Sequence, residues 1–365
     1  MKRITGYLRW LVPTALIVGL VPLGGAVAGA AGAPAQGGSA TLNASGATFP
    51  QVYYDEVIGA FKQKDPDITI NYAGGGSGKG RQDFADQVTD FGASDAPYSA
   101  ADATGVKGGT FFYFPTVAAP ITVSYNLSGV KKLRLSADTI AKIFQGDVKT
   151  WNDAAIKADN PGVKLPSTAI TVVHRADSSG TTENFTKFLA AAAPSTWTLG
   201  SGSTVSWPAD EQSGQGNPGV GQIVKSTDGA IGYVDFSDAK ALKLKFASVK
   251  NKDGKYVAPT VKATTAAVDQ AQVNQDLTYN PLDAAGKTSY PIAAPTWLLV
   301  YQSNSNSSKA SAIKSFLNFV YGDGQKIAPE VDYAPLPKSL LDKAKAQVKQ
   351  LGGSSGSTSS STATT

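Results

Sequence analysis

The chain has 365 residues, 42% of them hydrophobic and 17% charged, too long for one ordinary core and suited to two globular domains rather than to a disordered or multi-span membrane protein. It has no cysteine, which excludes disulfides, thiolate metal sites, a cysteine nucleophile and anchoring through a lipidated cysteine. The net charge is +5, but Lys2, Arg3 and Arg9 lie in an N-terminal leader; the remaining 30 basic residues nearly balance 28 acidic ones, so no basic footprint for nucleic acid exists.

Residues 1–33 read as a signal peptide. The three basic residues precede an apolar stretch, Trp10 to Leu23, and then several small-residue sites: Ala26-Val27-Ala28, Ala28-Gly29-Ala30 and Ala31-Gly32-Ala33. Pro13 and Pro22 argue against a stable spanning helix. Residues 34–39 form a linker. At the other end, residues 351–365 are almost purely Gly, Ser, Thr and Ala, a composition that cannot offset its ordering entropy and predicts a disordered tail.

Between these ends, β-branched or aromatic runs alternate with helical patterns, as in an α/β protein. Ala40 to Ala44 predicts a strand. Pro50 opens a helix with Tyr53, Tyr54, Val57, Ile58 and Phe61 on one face. Ile68, Ile70 and Tyr72 alternate as a strand before a glycine-rich loop, Gly74 to Gly80, and Phe84 and Val88 sit four apart on a helix after it. A strand around Asp90 to Ala93 ends at Ser94-Asp95. The run Phe111 to Tyr125, broken by Pro115 and Pro120, predicts one or two extended crossing segments. Ser136 to Phe144 is a short helix that Gly146 ends. Ile170 to Val173 is a strand feeding the loop Arg175 to Gly180, and the next helix carries Phe185, Phe188 and Leu189. Ala230 to Val234 and Trp297 to Tyr301 are further strands, and Ile313, Phe316, Leu317 and Val320 form a helical stripe.

Three segments share one design, a strand followed by small and hydroxyl residues and then a helix start: Ser45 to Pro50, Gly74 to Gly80, and Ser178 to Thr182. A helix N-terminus presents unpaired N–H groups and partial positive charge, glycine lets an oxyanion approach the backbone, and Ser or Thr adds a donor. Each is also readable as a plain N-cap, and only convergence in space would make them one anion site. The glycine loop approaches a nucleotide-binding pattern but has Ala73 for its first glycine and Gly80 where Ser or Thr would hold magnesium, which rejects an NTPase. Asp177 follows Arg175 by two residues and reads as its ion-pair partner. Asp95 reads either as a turn residue before Pro97 or as an acceptor facing a ligand that carries a proton.

These residues, in order and spacing, resemble the phosphate-binding proteins of bacterial phosphate ABC transporters. The likeness is carried by Gly46-Ala47-Thr48-Phe49-Pro50, Asp90-Phe91-Gly92-Ala93-Ser94-Asp95, Arg175-Ala176-Asp177 leading into Ser179-Gly180-Thr181, Trp151-Asn152-Asp153, Gly229-Ala230-Ile231-Gly232-Tyr233-Val234 and Tyr333-Ala334-Pro335-Leu336-Pro337. It spans roughly residues 42–346. The resemblance implies a two-lobed periplasmic-binding-protein fold of type II, with lobe one at 40–120 plus 292–350 and lobe two at 121–291. It implies phosphate contacts from Ala47, Thr48, Phe49, Ser77 and Asp95 in lobe one and from Arg175, Ser179, Gly180 and Thr181 in lobe two, with Asp177 in support. It also implies a monomeric, exported, non-enzymatic protein without metal or cofactor, working with membrane permease subunits. Ser178, where the family pattern often has glycine, and Lys79 in the glycine loop are departures.

On that reading Asp95 provides selectivity, since hydrogen phosphate has a proton to donate to a carboxylate and sulfate has none. The competing readings are a hydrolase using Ser179 or Thr181 beside the single histidine, His174, a protein of the same fold for sulfate, molybdate or another oxyanion, and a surface-displayed adhesion protein. Against the hydrolase, His174 and Arg175 point to opposite faces of a strand and no G-x-S-x-G turn is present.

Overall fold

The computed structural model describes residues 39–352. The expected signal peptide and nearly all of the expected tail therefore lie outside the described residues. Among the described residues, no helix is long and apolar enough to cross a membrane.

In chain order the first elements are β1 (Ala40–Gly46), α1 (Gln51–Lys64), β2 (Ile68–Gly74), α2 (Ser77–Ala85), β3 (Phe91–Ser94), α3 (Ala100–Ala103) and β4 (Phe111–Tyr125). Then come β5 (Arg134–Leu135), α4 (Ala137–Phe144), α5 (Ala154–Asp159), β6 (Thr171–Arg175), α6 (Gly180–Ala192), β7 (Gln212–Gly214), α7 (Gly216–Ser226), β8 (Ala230–Asp235) and α8 (Phe236–Ala241). The chain closes with β9 (Lys245–Phe246), β10 (Ser248–Lys250), β11 (Tyr256–Val257), α9 (Val261–Val268), β12 (Ala293–Tyr301), α10 (Ser307–Val320), α11 (Asp323–Ile327), a 3-10 turn and α12 (Lys338–Val348).

The strands run in the order β2-β1-β3-β12-β4-β8-β6-β7, and the two lobes meet along β4. Residues Phe111 to Pro120 of β4 pair antiparallel with β12, whereas Ile121 to Tyr125 pair antiparallel with β8. One strand thus belongs to both lobes, and the chain returns beside it at β12, where Ile121 N–H donates to Ile292 O at 2.9 Å. The first lobe is β1, β2, β3 and β12 with α1, α2 and α10; the second is β6, β7 and β8 with α6 and α7. Pro115 and Pro120 do not break β4. Pro115 lies where β4 pairs with β12 alone and Pro120 just ahead of the pairing with β8, which begins at Ile121, so neither missing N–H removes a ladder bond on the β8 side.

The apolar stripes define the core. Tyr53, Tyr54, Val57 and Phe61 of α1 are buried, as are Phe185, Phe188 and Leu189 of α6 and Ile313, Phe316, Leu317 and Val320 of α10. Phe61 meets both Phe316 and Phe319 with ring centroids 5.4 Å apart, which joins α1 to α10. Side-chain caps fix the helix starts: Ser136 accepts from Thr139 N–H before α4, and Ser179 from Thr182 N–H before α6. Two local expectations fail. The helix after the glycine loop begins inside it, at Ser77, where Ser77 is buried against Asp95 and Gly78 N–H donates to Ser178 O. It ends at Ala85, so Val88 lies beyond it and is 68% exposed. Pro50 is the residue before α1 rather than its first turn.

Candidate functional site

All three helix-start loops come together, at the ends of β1, β2 and β6. Gly46 ends β1 with φ 142°, and a Cβ there would collide with the backbone carbonyl of Ala93 on β3, so only glycine allows the two strands this approach. Ala47 then donates its N–H to Ala93 O at 3.1 Å and accepts from the Tyr72 hydroxyl at 2.6 Å. Its backbone groups are thereby engaged, and what Ala47 contributes is the path of the chain. The next two N–H groups, of Thr48 and Phe49, have no partner among the described residues. Phe49 is anchored by burial and by its carbonyl, which accepts from the Tyr333 hydroxyl at 2.7 Å.

The glycine loop is held by Gly46, whose carbonyl accepts from Gly75 N–H and Gly76 N–H at 3.0 and 2.9 Å. Ser77, fully buried, is the first residue of α2, so its N–H has no partner within the helix. Its hydroxyl accepts from Asp95 N–H at 3.0 Å and donates to Asp95 Oδ2 at 3.1 Å. Lys79 turns outward to Asp83, with Nζ 2.7 Å from Oδ2, and does not join the cluster.

Asp95 is 2% exposed, and its Oδ1 has no hydrogen-bond partner among the described residues. Burial pushes its carboxyl up to about 7, against the opposing pull of neighbouring hydroxyls and of Arg175 and Arg81. A buried carboxylate oxygen left unpaired is costly, and the protein retains one here.

From the second lobe, Arg175 at the end of β6 is 4% exposed and grips Asp177 in a fork: Nε donates to Oδ1 at 2.8 Å, and Nη2 pairs with Oδ2. Nη1 donates to Thr181 Oγ1 at 3.3 Å. A guanidinium has five N–H donors, so two remain after these three bonds. Asp177 also accepts from Gly216 N–H at 3.0 Å, so it orients the arginine and is itself oriented. Ser179, Gly180 and Thr181 open α6, all three fully or almost fully buried. Ser179 N–H donates to Ser203 O at 2.9 Å, while the N–H groups of Gly180 and Thr181 are first-turn amides with no partner within the helix. Ser178 is only partly buried and turns elsewhere, its hydroxyl bonded to Ser203 Oγ at 2.9 Å.

The two lobes touch across this cluster. Gly78 N–H donates to Ser178 O at 3.0 Å, Asn184 Nδ2 to Asp95 O at 2.7 Å, and Asn217 Nδ2 to Thr48 Oγ1 at 3.3 Å. Arg81 Nη1 lies 3.5 Å from Glu183 Oε2. Sequence reasoning missed Arg81, Glu183, Asn184 and Asn217. Glu183 lies in the first turn of α6, Arg81 and Asn184 follow the first turn of their helices, and only Asn217 carried a signal, in Gly216-Asn217-Pro218-Gly219 after a short strand. His174 lies on the opposite side of β6 from the cluster, with its ring stacked on Trp207 at 5.0 Å and Nδ1 2.9 Å from Arg175 O.

What results is a buried polar cluster where the lobes meet, which gathers N–H and O–H donors, the Arg175 guanidinium and the unpaired Asp95 Oδ1. A family model described as a PBP superfamily domain matches residues 30–324. The phosphate-binding protein PstS of Methanocaldococcus jannaschii is 37% identical over 358 residues, covering 89% of this chain and 90% of that protein. This chain belongs to the PstS phosphate-binding-protein family of the PBP superfamily. A second member, phosphate-binding protein PstS 3 of Mycobacterium leprae, is 35% identical over 317 residues, with 84% of this chain and 86% of that protein covered. In fold, this family member is similar to a periplasmic phosphate-binding protein solved with phosphate at pH 8.5, with TM-score 0.71, 23% identity and coverage of 84% and 93%. It is likewise similar to a phosphate-binding protein from Stenotrophomonas maltophilia, with TM-score 0.66, 23% identity and the same coverage.

Proposed function

We propose that this protein captures inorganic phosphate outside the cytoplasm and delivers it to the permease of an ABC transporter, as a monomer and without chemistry of its own. The observation that carries the reading is Asp95: a buried carboxylate with one unpaired oxygen, set among donors from both lobes. A tetrahedral oxyanion with one proton satisfies all of them at once. Its bare oxygens accept from Thr48, Phe49, Ser77, Gly180 and Thr181 N–H groups, from the Ser179 hydroxyl and from the two remaining donors of Arg175. Its proton goes to Asp95 Oδ1. Sulfate brings only acceptors and would leave the carboxylate unpaired and repelled, at a cost of several kcal/mol.

Lobe one is assigned to 40–120 plus 292–350 and lobe two to 121–291, with the change of β4's partner after Pro120 in support. Closure of the lobes would trap the anion and form the surface that the permease recognises. The relatives named phosphate-binding protein PstS and the phosphate-bound neighbour of the same fold favour phosphate over other oxyanions. The hydrolase reading loses its base: His174 is turned away and stacked on Trp207. Equilibrium dialysis of phosphate-stripped protein against labelled phosphate tests the reading. Retention of about one phosphate per chain, displaced by unlabelled phosphate and not by sulfate, supports it; no retention overturns it.

A further inference from the structure

We propose that Asn217 sets the hydrogen-bond polarity of the site, holding the Thr48 and Thr181 hydroxyls as obligatory donors so that only unprotonated ligand oxygens fit beside them. This assignment rests on the phosphate reading above and adds to it a positioning residue from neither of the two loops it connects.

Asn217 is fully buried in the first turn of α7 and reaches both lobes. Its amide orientation is fixed by chemistry: Oδ1 accepts from the Asp235 N–H at 3.1 Å, and a backbone N–H can only donate. Nδ2 therefore faces the threonines, donating to Thr181 Oγ1 at 3.1 Å and to Thr48 Oγ1 at 3.3 Å. The Asn217 backbone N–H donates to the same Thr48 oxygen at 3.2 Å.

A hydroxyl oxygen has two lone pairs and one proton. On Thr48 both lone pairs are taken by Asn217. On Thr181 one is taken by Asn217 and the other by Arg175 Nη1 at 3.3 Å. Neither hydroxyl proton has an acceptor among the described residues, and the two side chains are 8% and 0% exposed. A buried hydroxyl with both lone pairs engaged has one thing left to do, which is to donate to whatever occupies the site. Serine or threonine hydroxyls are ordinarily ambivalent and could accept from a protonated ligand oxygen by rotating. Here rotation is blocked by three donors. The ligand's proton is thereby excluded from the Thr48 and Thr181 sides and directed to Asp95 Oδ1, a buried carboxylate oxygen that no other described residue engages. Asn217 thus supports the selectivity of Asp95 from the far wall.

The test is a thermodynamic cycle read by calorimetric titration with inorganic phosphate at pH 8, each variant being checked for a cooperative melt. Asn217→Ala is expected to weaken phosphate binding by tenfold or more in the wild-type background. In the Thr48→Val, Thr181→Val background, where no hydroxyl remains to orient, it should cost less than threefold. Asn217→Asp keeps the shape and reverses the polarity, since its oxygen would accept from the two hydroxyls. Its affinity should fall most at pH 8 and recover towards pH 5.5, where the introduced carboxyl and the ligand are more protonated. Should Asn217→Ala not fold, this isosteric variant carries the test alone. Equal losses from Asn217→Ala in both backgrounds, or a loss in Asn217→Asp that is flat with pH, overturn the assignment. If the wild type binds phosphate and Asn217→Ala binds it within twofold, the polarity role is wrong and the phosphate reading stands. A wild-type protein that binds no phosphate overturns both.

Discussion

A Cβ added to Gly180 would lie 2.7 Å from Asp95 Cβ and 2.9 Å from Asp95 Oδ2, across the line between the lobes. Real carbon atoms do not approach so closely, so the closed arrangement exists only because position 180 has no side chain. Gly180→Ala is expected to fold, since α6 tolerates alanine at its first position, but to hold the lobes apart. Phosphate affinity should fall by about 100-fold or more, corresponding to ~3 kcal/mol. Small-angle scattering with saturating phosphate should show a larger radius of gyration than for the wild type.

Asp95 makes a second, opposite demand on stability. Its carboxyl is raised from 3.8 to about 7, so between these pH values the folded protein binds a proton that the unfolded chain has lost. Stability therefore falls as pH rises through this window, and above pH 7 the ionised group costs on the order of 4 kcal/mol. Asp95→Asn should melt higher than the wild type at pH 8 without ligand, and the gap should narrow by pH 5. A wild type that melts equal to or above the variant at pH 8 would contradict this ordering.

The fork between Arg175 and Asp177 gives a prediction about geometry rather than charge. Lysine keeps the charge but cannot bond Asp177, Thr181 and a ligand together from one plane. Arg175→Lys should weaken phosphate binding by about 10- to 100-fold, through faster dissociation, while the melting temperature without ligand moves little.

Arg81 and Glu183 face each other across the lobes with side chains only 13% and 12% exposed. Arg81 is also held by Ser94 Oγ and Ala96 O at 3.1 and 3.2 Å, so it is fixed on the first lobe and meets Glu183 only when the lobes close. Glu183→Gln should raise the phosphate off-rate severalfold, with a cost near 1 kcal/mol. The wild-type off-rate should rise with salt more than that of the variant. Stopped-flow tryptophan fluorescence would measure both.

The sequence reveals the parts of this site better than their joining. The three loops are visible as glycine and hydroxyl residues between a strand and a helix start, a pattern that a plain N-cap shares, and the family resemblance is what singles out Asp95 and Arg175. The start of α2 inside the glycine loop was not legible, since glycine-rich composition speaks against a helix and only tertiary contacts outweigh that propensity. The continuity of β4 was hidden for a related reason: Pro115 and Pro120 break a strand only if both its edges are paired, and pairing is a long-range fact. Asn217, Arg81 and Glu183 were missed because their roles depend on the other lobe. Ala47 matched a motif, yet its N–H is already taken by Ala93, which local sequence does not disclose.

On the phosphate reading, Asp95 makes the site choose an oxyanion with a proton. The most direct test is calorimetric titration of the phosphate-free protein and of Asp95→Asn, each with phosphate and with sulfate at pH 8. The wild type should prefer phosphate by about 100-fold or more, and the preference should shrink to under about tenfold in the variant. Equal affinities in the wild type, or an undiminished preference in Asp95→Asn, would contradict this role for Asp95.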